Sequence, residues 1–457
     1  MRLNSPWEPR LSGSGPASEQ LVAALAGEIL DGRLEAGDRL PAQRDLAWRL
    51  EIGLGTVTKA YGILERRGLI RTVKGRGTFV SLVQTRRGPL IDLSHNVPPA
   101  VLSERSLART LGSLSKRIDA GLFSGYPPPG GHDEHRRLMA AWLGRLGMAA
   151  DPDGLVLTSG ALHAISVAVT AATGGRGTLL TEAQSYPGVI ELARHRGLAL
   201  AGVATDAEGM LPGALARALA GAVPPVAVYV TPTMQNPTTA TMGRQRREEI
   251  VAVIRAAGAW LIEDDVYTLE ADPALPPLSM LAPDCSYYAN SMSKTLTPTL
   301  RLGALVAPEG RMAAVQSALA ASGAMVSPLS CAVLEQWMMD GTAEAVSGAV
   351  QAEAAARTEM ARAHLAAAMQ PRGRLGYHVW LPMPKAEARQ IALAARSLGL
   401  ELTQPEATDA DPGAGQGGLR ICLGASSRAE LEIALPGIAR LWQELRAGGG
   451  QRTQVPA

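Results

Sequence analysis

The spacing of hydrophobic positions changes character once along the chain, near residue 90. From Ala17 to Asp31 the apolar residues Leu21, Val22, Leu25, Ile29 and Leu30 recur at helical intervals, and Gly32 follows as a stop. Pro41 opens a second predicted helix through Leu50. Gly53 and Gly55 punctuate a turn, and a third helix is predicted from Thr56 to Arg67, halted by Gly68. Two strand-like runs, Leu69–Val73 and Thr78–Leu82, flank Lys74-Gly75-Arg76-Gly77 and predict a hairpin. Residues 1–16, rich in Ser, Gly and Pro, read as a flexible arm. Residues 83–90 read as a linker that, fully extended, reaches at most about 28 Å.

Beyond Ile91, apolar β-rich runs alternate with helical stretches. Strands are predicted at Leu155–Thr158, Thr178–Thr181, Leu198–Ala204, Val226–Thr231, Trp260–Glu263, Ser286–Asn290 and Leu302–Ala307. Helices are predicted between them at Ala161–Thr173, Pro187–His195 and Arg244–Ala257. This alternation predicts an α/β unit over 91–447, with a mainly parallel sheet and helices on both faces. Long Ala-rich helices follow at Pro328–Asp340 and Thr342–Met369, then strands at Tyr377–Leu381 and Leu419–Leu423 and a helix at Arg428–Ala447. They suggest a small C-terminal α/β subdomain over about 341–447. Pro405–Gly418 reads as a flexible loop by composition, and 448–457 as a flexible tail.

Composition narrows the reading further. Hydrophobic residues make up 46% and charged residues 19% of 457, the profile of an ordinary globular protein. No apolar run approaches the roughly 18–20 residues of a membrane span, and residues 1–16 lack an apolar core of signal-peptide length, so the expectation is a cytoplasmic protein. Cys285, Cys331 and Cys422 are scattered and odd in number, which fits a reducing compartment and no metal site. The net charge of +2 divides unevenly. Residues 1–90 hold 14 Arg/Lys against 9 Asp/Glu, leaving −3 for the remainder, so a basic head precedes a mildly acidic body. Lysine is scarce: Lys59, Lys74, Lys116, Lys294 and Lys385 are all there is, and Lys294 alone lies between 117 and 384.

The two helices within 42–67 can serve as a helix-turn-helix, with the 74–77 hairpin tip as a wing bearing two cations. The segments GRLEAGDRLPAQRDLAWRL and TVTKAYGILERRGLIRTVKGRGTFV resemble the winged helix-turn-helix of GntR-type regulators over about 17–82. The resemblance implies double-stranded operator DNA as partner, with Arg44, Thr56, Lys59, Lys74 and Arg76 as contacts. One departure stands out. Ile52-Gly53-Leu54 occupies the turn that in the family usually reads Val-Ser-Arg, so a hydroxyl cap and a cation are both replaced. The bland alternative is a small protein-binding wing domain.

The body contains the parts that pyridoxal 5'-phosphate (PLP) chemistry requires. Those parts are an amine for a Schiff base, an acid for the pyridine nitrogen, a flat residue to stack on the ring and an anion cradle at a helix start. Lys294 follows a strand in YYANSMSK, and Asp264 ends the strand of AWLIEDDVY. Tyr186 follows TLLTE, Ser159-Gly160-Ala161 lies between a strand and a helix, and Asn236-Pro237 follows VAVYVTP. Taken singly, each has a bland reading as a surface lysine, a solvated strand end or a turn. Together they resemble the fold-type I aminotransferases over about 91–445, with SMSKTLTPTLRLGALVAP the most specific piece.

That resemblance makes Lys294 and Asp264 the catalytic pair and implies that Ser159, Gly160, Ala161, Ser291, Ser293 and Arg301 hold phosphate. Asn236 and Tyr267 would reach the ring hydroxyl, Tyr186 would stack on the ring, and Arg420 would clamp a substrate carboxylate. Tyr126 matches a tyrosine that reaches the phosphate of a neighbouring subunit, which implies a homodimer.

A GntR-type head joined to an aminotransferase-like body resembles the MocR-type regulators. The resemblance implies a transcription regulator that senses PLP, or an amino compound joined to PLP as an external aldimine. Two rivals stay open: a true aminotransferase with an autoregulatory DNA-binding head, and a metabolite-sensing body without PLP.

Overall fold

The computed structural model describes residues 7, 15–30, 33–34, 37–66, 69–73, 77–80, 90–117, 121, 124–370, 376–411, 413 and 415–449. The chain divides into two compact units, residues 1–90 and 91–457.

The head contains helices α1 (Ala17–Leu30), α2 (Gln43–Arg49) and α3 (Leu54–Arg66), followed by the antiparallel hairpin β1 (Ile70–Val73) and β2 (Gly77–Val80). The helical stripe of α1 is its buried face: Leu21, Leu25 and Ile29 pack with Leu46, Val57, Leu64 and Val80. Burying a leucine side chain stabilises by roughly 2 kcal/mol, so this small cluster holds the unit together. Arg39 forms a bridge to Phe79, and the Leu40 amide donates to Thr78 O (2.9 Å), docking the hairpin on the segment before α2. Two expectations are corrected here. Helix α3 starts at Leu54 and takes Gly55 into its first turn, because the Gly53 carbonyl already accepts from the Thr56 amide (2.9 Å). Trp7, placed in a flexible arm by its Ser/Gly/Pro surroundings, is buried in the head's core, where a large aromatic removes more surface from water than any neighbour.

The body is built on a seven-stranded sheet in the order Leu155–Thr158, Gly303–Val306, Ser286–Ser291, Trp260–Asp264, Val226–Val230, Thr178–Glu182, Ala199–Val203. Gly303–Val306 runs antiparallel to both neighbours, and the other four pairings are parallel. The central strands are buried on both faces, which is why they read as unbroken apolar runs rather than alternating ones. One apolar layer is centred on the helix Ala161–Thr173 and another on Arg244–Ala256.

A smaller subdomain pairs His378–Pro384 antiparallel with Gln416–Cys422, flanked by the helices Lys385–Ser397 and Arg428–Gly449. Its other strand pair joins distant parts of the sequence: Leu400–Leu402 runs parallel to Ile91–Leu93. The subdomain therefore includes the first strand of the body as well as its C-terminal third. The stretch beginning at Pro405, expected to be a flexible loop, forms a helical turn with Pro405 and Thr408 buried, and Asp409 accepts from Lys385 Nζ. Gln416 already belongs to a strand.

Candidate functional site

The parallel strands end at one edge of the sheet and deliver acids there. Asp264 closes its strand, with Tyr229 on the adjacent one. Tyr229 Oη donates to Asp264 Oδ2 at 2.6 Å, while Asp264 Oδ1 is buried with no hydrogen-bond partner among the described residues. Burial pushes the Asp264 carboxyl up to about 6 against the opposing pull of the Tyr229 hydrogen bond. Glu182, ending the next strand, accepts from the Thr231 amide (2.9 Å), and burial pushes it to about 7.

Lys294 lies three residues beyond the strand Ser286–Ser291. Its ammonium donates to the carbonyl of Asn96 and sits 5.4 Å from the centroid of the Tyr267 ring. Burial lowers the amine to about 8. Tyr267 Oη accepts from Asn236 Nδ2 and from Asn96 Nδ2, each at 3.1 Å. The Tyr267 ring lies 5.4 Å from that of His378, a buried histidine pushed down to about 3 by desolvation, with the Arg420 charge second. His378 is therefore neutral, and its Nδ1 lies 3.1 Å from Asn96 Nδ2.

Ser159-Gly160-Ala161 forms the turn between the strand Leu155–Thr158 and the helix Ala161–Thr173. Gly160 has φ +94°, and a Cβ there would fall 2.8 Å from Arg301 Nη2. Arg301, itself left-handed at φ 48°, donates from Nη2 to Ser159 O at 2.7 Å. Ser291 Oγ donates to Ser293 Oγ (2.8 Å) and accepts from the Ser293 amide (3.0 Å). The start of the helix Ala161–Thr173 and the exposed Arg301 guanidinium are thus tied together through Ser159, while the Ser291 and Ser293 hydroxyls, bonded to each other, stand at the end of another strand of the same sheet. Tyr186 caps the helix Pro187–His195, and the charges of Asp264, Arg301 and Arg420 all act on its phenol.

Arg420, buried on the strand Gln416–Cys422, is heavily engaged. It donates to Asn236 Oδ1 from Nη1 (2.7 Å), to Ser94 O from Nη2 (2.9 Å), and to Thr403 Oγ1 from Nη2 (3.1 Å) and Nε (3.3 Å). Tyr126 stands apart: it is 91% exposed, and among the described residues no hydrogen bond ties it to this cluster.

Sequence reasoning missed Asn96, Tyr229, His163 and His378. Tyr229 had a signal, since it sits one residue before the end of its strand, in register with Ile262. His163 Nδ1 accepts from the Ser159 amide at 3.0 Å, four residues back along the turn. Asn96 and His378 come from opposite ends of the chain, and no local pattern links them.

In the head, Arg44 on α2 and Lys59 on α3 are exposed, and Thr56 is half-buried at the start of α3. Thr58 Oγ1 donates to Gln43 Oε1 (2.8 Å), tying the two helices. Leu54, Gly55, Thr58, Lys59 and Gly62 line an open groove along α3. Lys74 and Arg76 lie outside the described residues. No helix among the described residues is long and apolar enough to cross a membrane.

Residues 89–438 match the aminotransferase class I and II family, and residues 17–80 match the bacterial regulatory proteins of the gntR family. The uncharacterized HTH-type transcriptional regulator YdfD of Bacillus subtilis is 26% identical over 84% of this chain and 88% of its own. The vitamin B6 salvage pathway transcriptional repressor PtsJ of Salmonella typhimurium is 29% identical over 69% of this chain and 73% of its own. An archaeal alanine:glyoxylate aminotransferase shares the fold, with TM-score 0.70, 20% identity, 85% of this chain covered and 95% of the other. With an aminotransferase-family body of fold type I behind a gntR-family head, the chain belongs to the MocR-type regulators and is a DNA-binding transcription regulator.

Proposed function

We propose that the body binds PLP on Lys294, and that PLP, alone or joined to an amino compound, alters how the head holds operator DNA. The observation that carries this reading is the buried Asp264 Oδ1, without a partner and within electrostatic reach of the Lys294 amine. An acid so placed fits a protonated ring nitrogen, and the cradle at Ser159-Gly160-Ala161, Ser291, Ser293 and Arg301 fits a phosphate at the other end of such a ring. PLP would supply an aldehyde that condenses with an amine, with loss of water, and a ring that draws electrons from the carbon beside that amine.

The chain's own residues do the rest. Asp264 would hold a proton at the ring nitrogen, with Tyr229 fixing the orientation of its carboxylate. Tyr267 and Asn236 would orient the ring through its hydroxyl, and Tyr186 would cover one face. Lys294, lowered to about 8, offers a neutral amine at modestly alkaline pH and can carry a proton thereafter. Arg420 would meet a carboxylate on the effector. Tyr126, exposed in its own chain, would reach the phosphate in a second copy, making the functional unit a homodimer. In the head, Arg44, Thr56, Lys59, Lys74 and Arg76 would meet DNA, mixing phosphate and base contacts.

The test is the visible spectrum of the full-length protein with PLP, beside a Lys294→Ala variant and across a panel of amino compounds. A yellow band that requires Lys294, and shifts with one amino compound, supports the reading and points to the effector. Absence of a lysine-dependent band overturns it. The aminotransferase reading is favoured by one observation, the buried Lys294 amine within electrostatic reach of Asp264. Sustained turnover with a keto-acid acceptor would establish it, whereas single half-turnovers keep the regulator reading.

A further inference from the structure

The two cationic groups of the site that an amino acid would engage are tied to one short stretch of backbone. Lys294 Nζ donates to Asn96 O, and Arg420 Nη2 donates to Ser94 O at 2.9 Å. Thr403 Oγ1 also donates to Ser94 O (3.1 Å), and the Cys422 thiol does so at 3.5 Å. The side chain of Asn96 spans the same space: its Nδ2 lies 3.1 Å from both Tyr267 Oη and His378 Nδ1, and its Oδ1 is buried without a partner. Ser94, His95 and Asn96 directly follow the strand Ile91–Leu93, the first element of the body after residues 81–90.

A guanidinium has five N–H donors. Arg420 commits Nε to Thr403, one Nη1 hydrogen to Asn236 and both Nη2 hydrogens to Ser94 and Thr403. One donor is left, and a bidentate carboxylate contact needs two. A carboxylate that binds Arg420 through two oxygens must therefore take a donor from Ser94 O, Thr403 or Asn236. An amine claimed by the cofactor's aldehyde likewise stops donating to Asn96 O.

We propose that the Ser94–Asn96 segment is the output lever of the site: PLP, by taking Lys294, releases the Asn96 carbonyl, and a ligand carboxylate draws Arg420 from Ser94, Thr403 or Asn236. This loosens the stretch of backbone that opens the body in chain order. The inference rests on the PLP reading above and adds to it the route by which occupancy leaves the body. PLP alone frees the Asn96 carbonyl, because its aldehyde takes the Lys294 amine. An amino acid that displaces Lys294 from the aldehyde gives that amine back to Asn96, while its carboxylate draws on Arg420.

Hydrogen–deuterium exchange of the full-length wild-type protein tests this, read on peptides covering 90–97 in buffer, with PLP, and with N-(5'-phosphopyridoxyl)-L-alanine. The absorption band is recorded on the same samples. The expected result is exchange across 91–97 that rises with PLP, whose aldehyde takes Lys294, and rises less with the alanine conjugate, which has no aldehyde and leaves Lys294 free to donate to Asn96 O. About tenfold is expected for each charged hydrogen bond surrendered. Thr403→Val, which removes a donor to Ser94 O but no group assigned to the cofactor, should raise this exchange without ligand and leave the PLP band in place. A normal Lys294 band with PLP, together with unchanged or slower exchange at 91–97 in that same sample, overturns the lever while leaving PLP binding intact. Failure to form the band overturns the PLP reading and this inference together.

Discussion

Burial acts on Asp264 and Lys294 in opposite senses. Desolvation disfavours charge on both, so the carboxyl rises from its ordinary 3.8 to about 6 and the amine falls to about 8. For Asp264 the folded state holds the proton more tightly than the unfolded chain. Below about pH 4 the group therefore carries no penalty. Its stability contribution declines as pH rises toward 6, and the loss is complete above that. Without ligand, Asp264→Asn should stabilise the protein by roughly 2 kcal/mol at pH 8 and by little at pH 4, as read from denaturant melts at the two pH values. The same substitution should abolish the Lys294-dependent spectral shift with amino compounds, which separates its two consequences. For Lys294 the reactive form is the neutral amine. The rate of PLP band formation should climb about tenfold per pH unit below pH 8 and level off above it, in stopped-flow absorbance. A rate flat from pH 6 to 8 would contradict a buried amine at this position.

At the scale of elements, the start of α3 makes a local prediction. Gly53 serves as its cap through a carbonyl alone, and a Cβ there would meet Thr56 Oγ1 at 3.7 Å, an ordinary contact. Leu54 is partly exposed at the mouth of the groove along α3. Gly53→Ser with Leu54→Arg should fit without strain, tighten DNA binding and steepen its salt dependence by about one unit of slope. Lys59→Ala should flatten the slope by about one unit, and fluorescence anisotropy at graded salt reads both. Elements with strong periods were legible in the sequence. Ala161–Thr173 and Pro187–His195 form as the apolar spacing predicts, because a helix packed on a sheet needs one continuous stripe. Strands buried on both faces were legible for the same reason. Illegible were the contacts that the sheet order and the small subdomain create. Ile91–Leu93 carries no sign that it pairs with Leu400–Leu402, some 300 residues away, and so Asn96 and His378 could not be brought together in advance. The Pro405 turn was misjudged because its residues favour loops, while burial and the Lys385–Asp409 ion pair decide its order.

At the scale of the whole molecule, one residue tests the proposed second copy. Tyr126, 91% exposed in its own chain, is the residue on which the proposed homodimer can be tested. If it completes the phosphate cradle of another protomer, Tyr126→Ala should weaken PLP binding about tenfold in titrations while leaving the Lys294 band unmoved. Mixed dimers of Tyr126→Ala and Lys294→Ala protomers should regain one site of normal affinity; unchanged affinity in the single variant would rule out the shared site. The acids at the sheet edge carry a last consequence. Glu182, Glu263 and Asp264 are all buried and all pushed upward, to about 7, 7 and 6. If PLP binds as proposed, its ring would give Asp264 a cationic partner, and a bound ligand stabilises a fold by mass action. In a cell, proteases remove the less stable form first. The number of regulator molecules would then follow vitamin supply, so that nutrient scarcity thins the regulator population itself as well as emptying its sites.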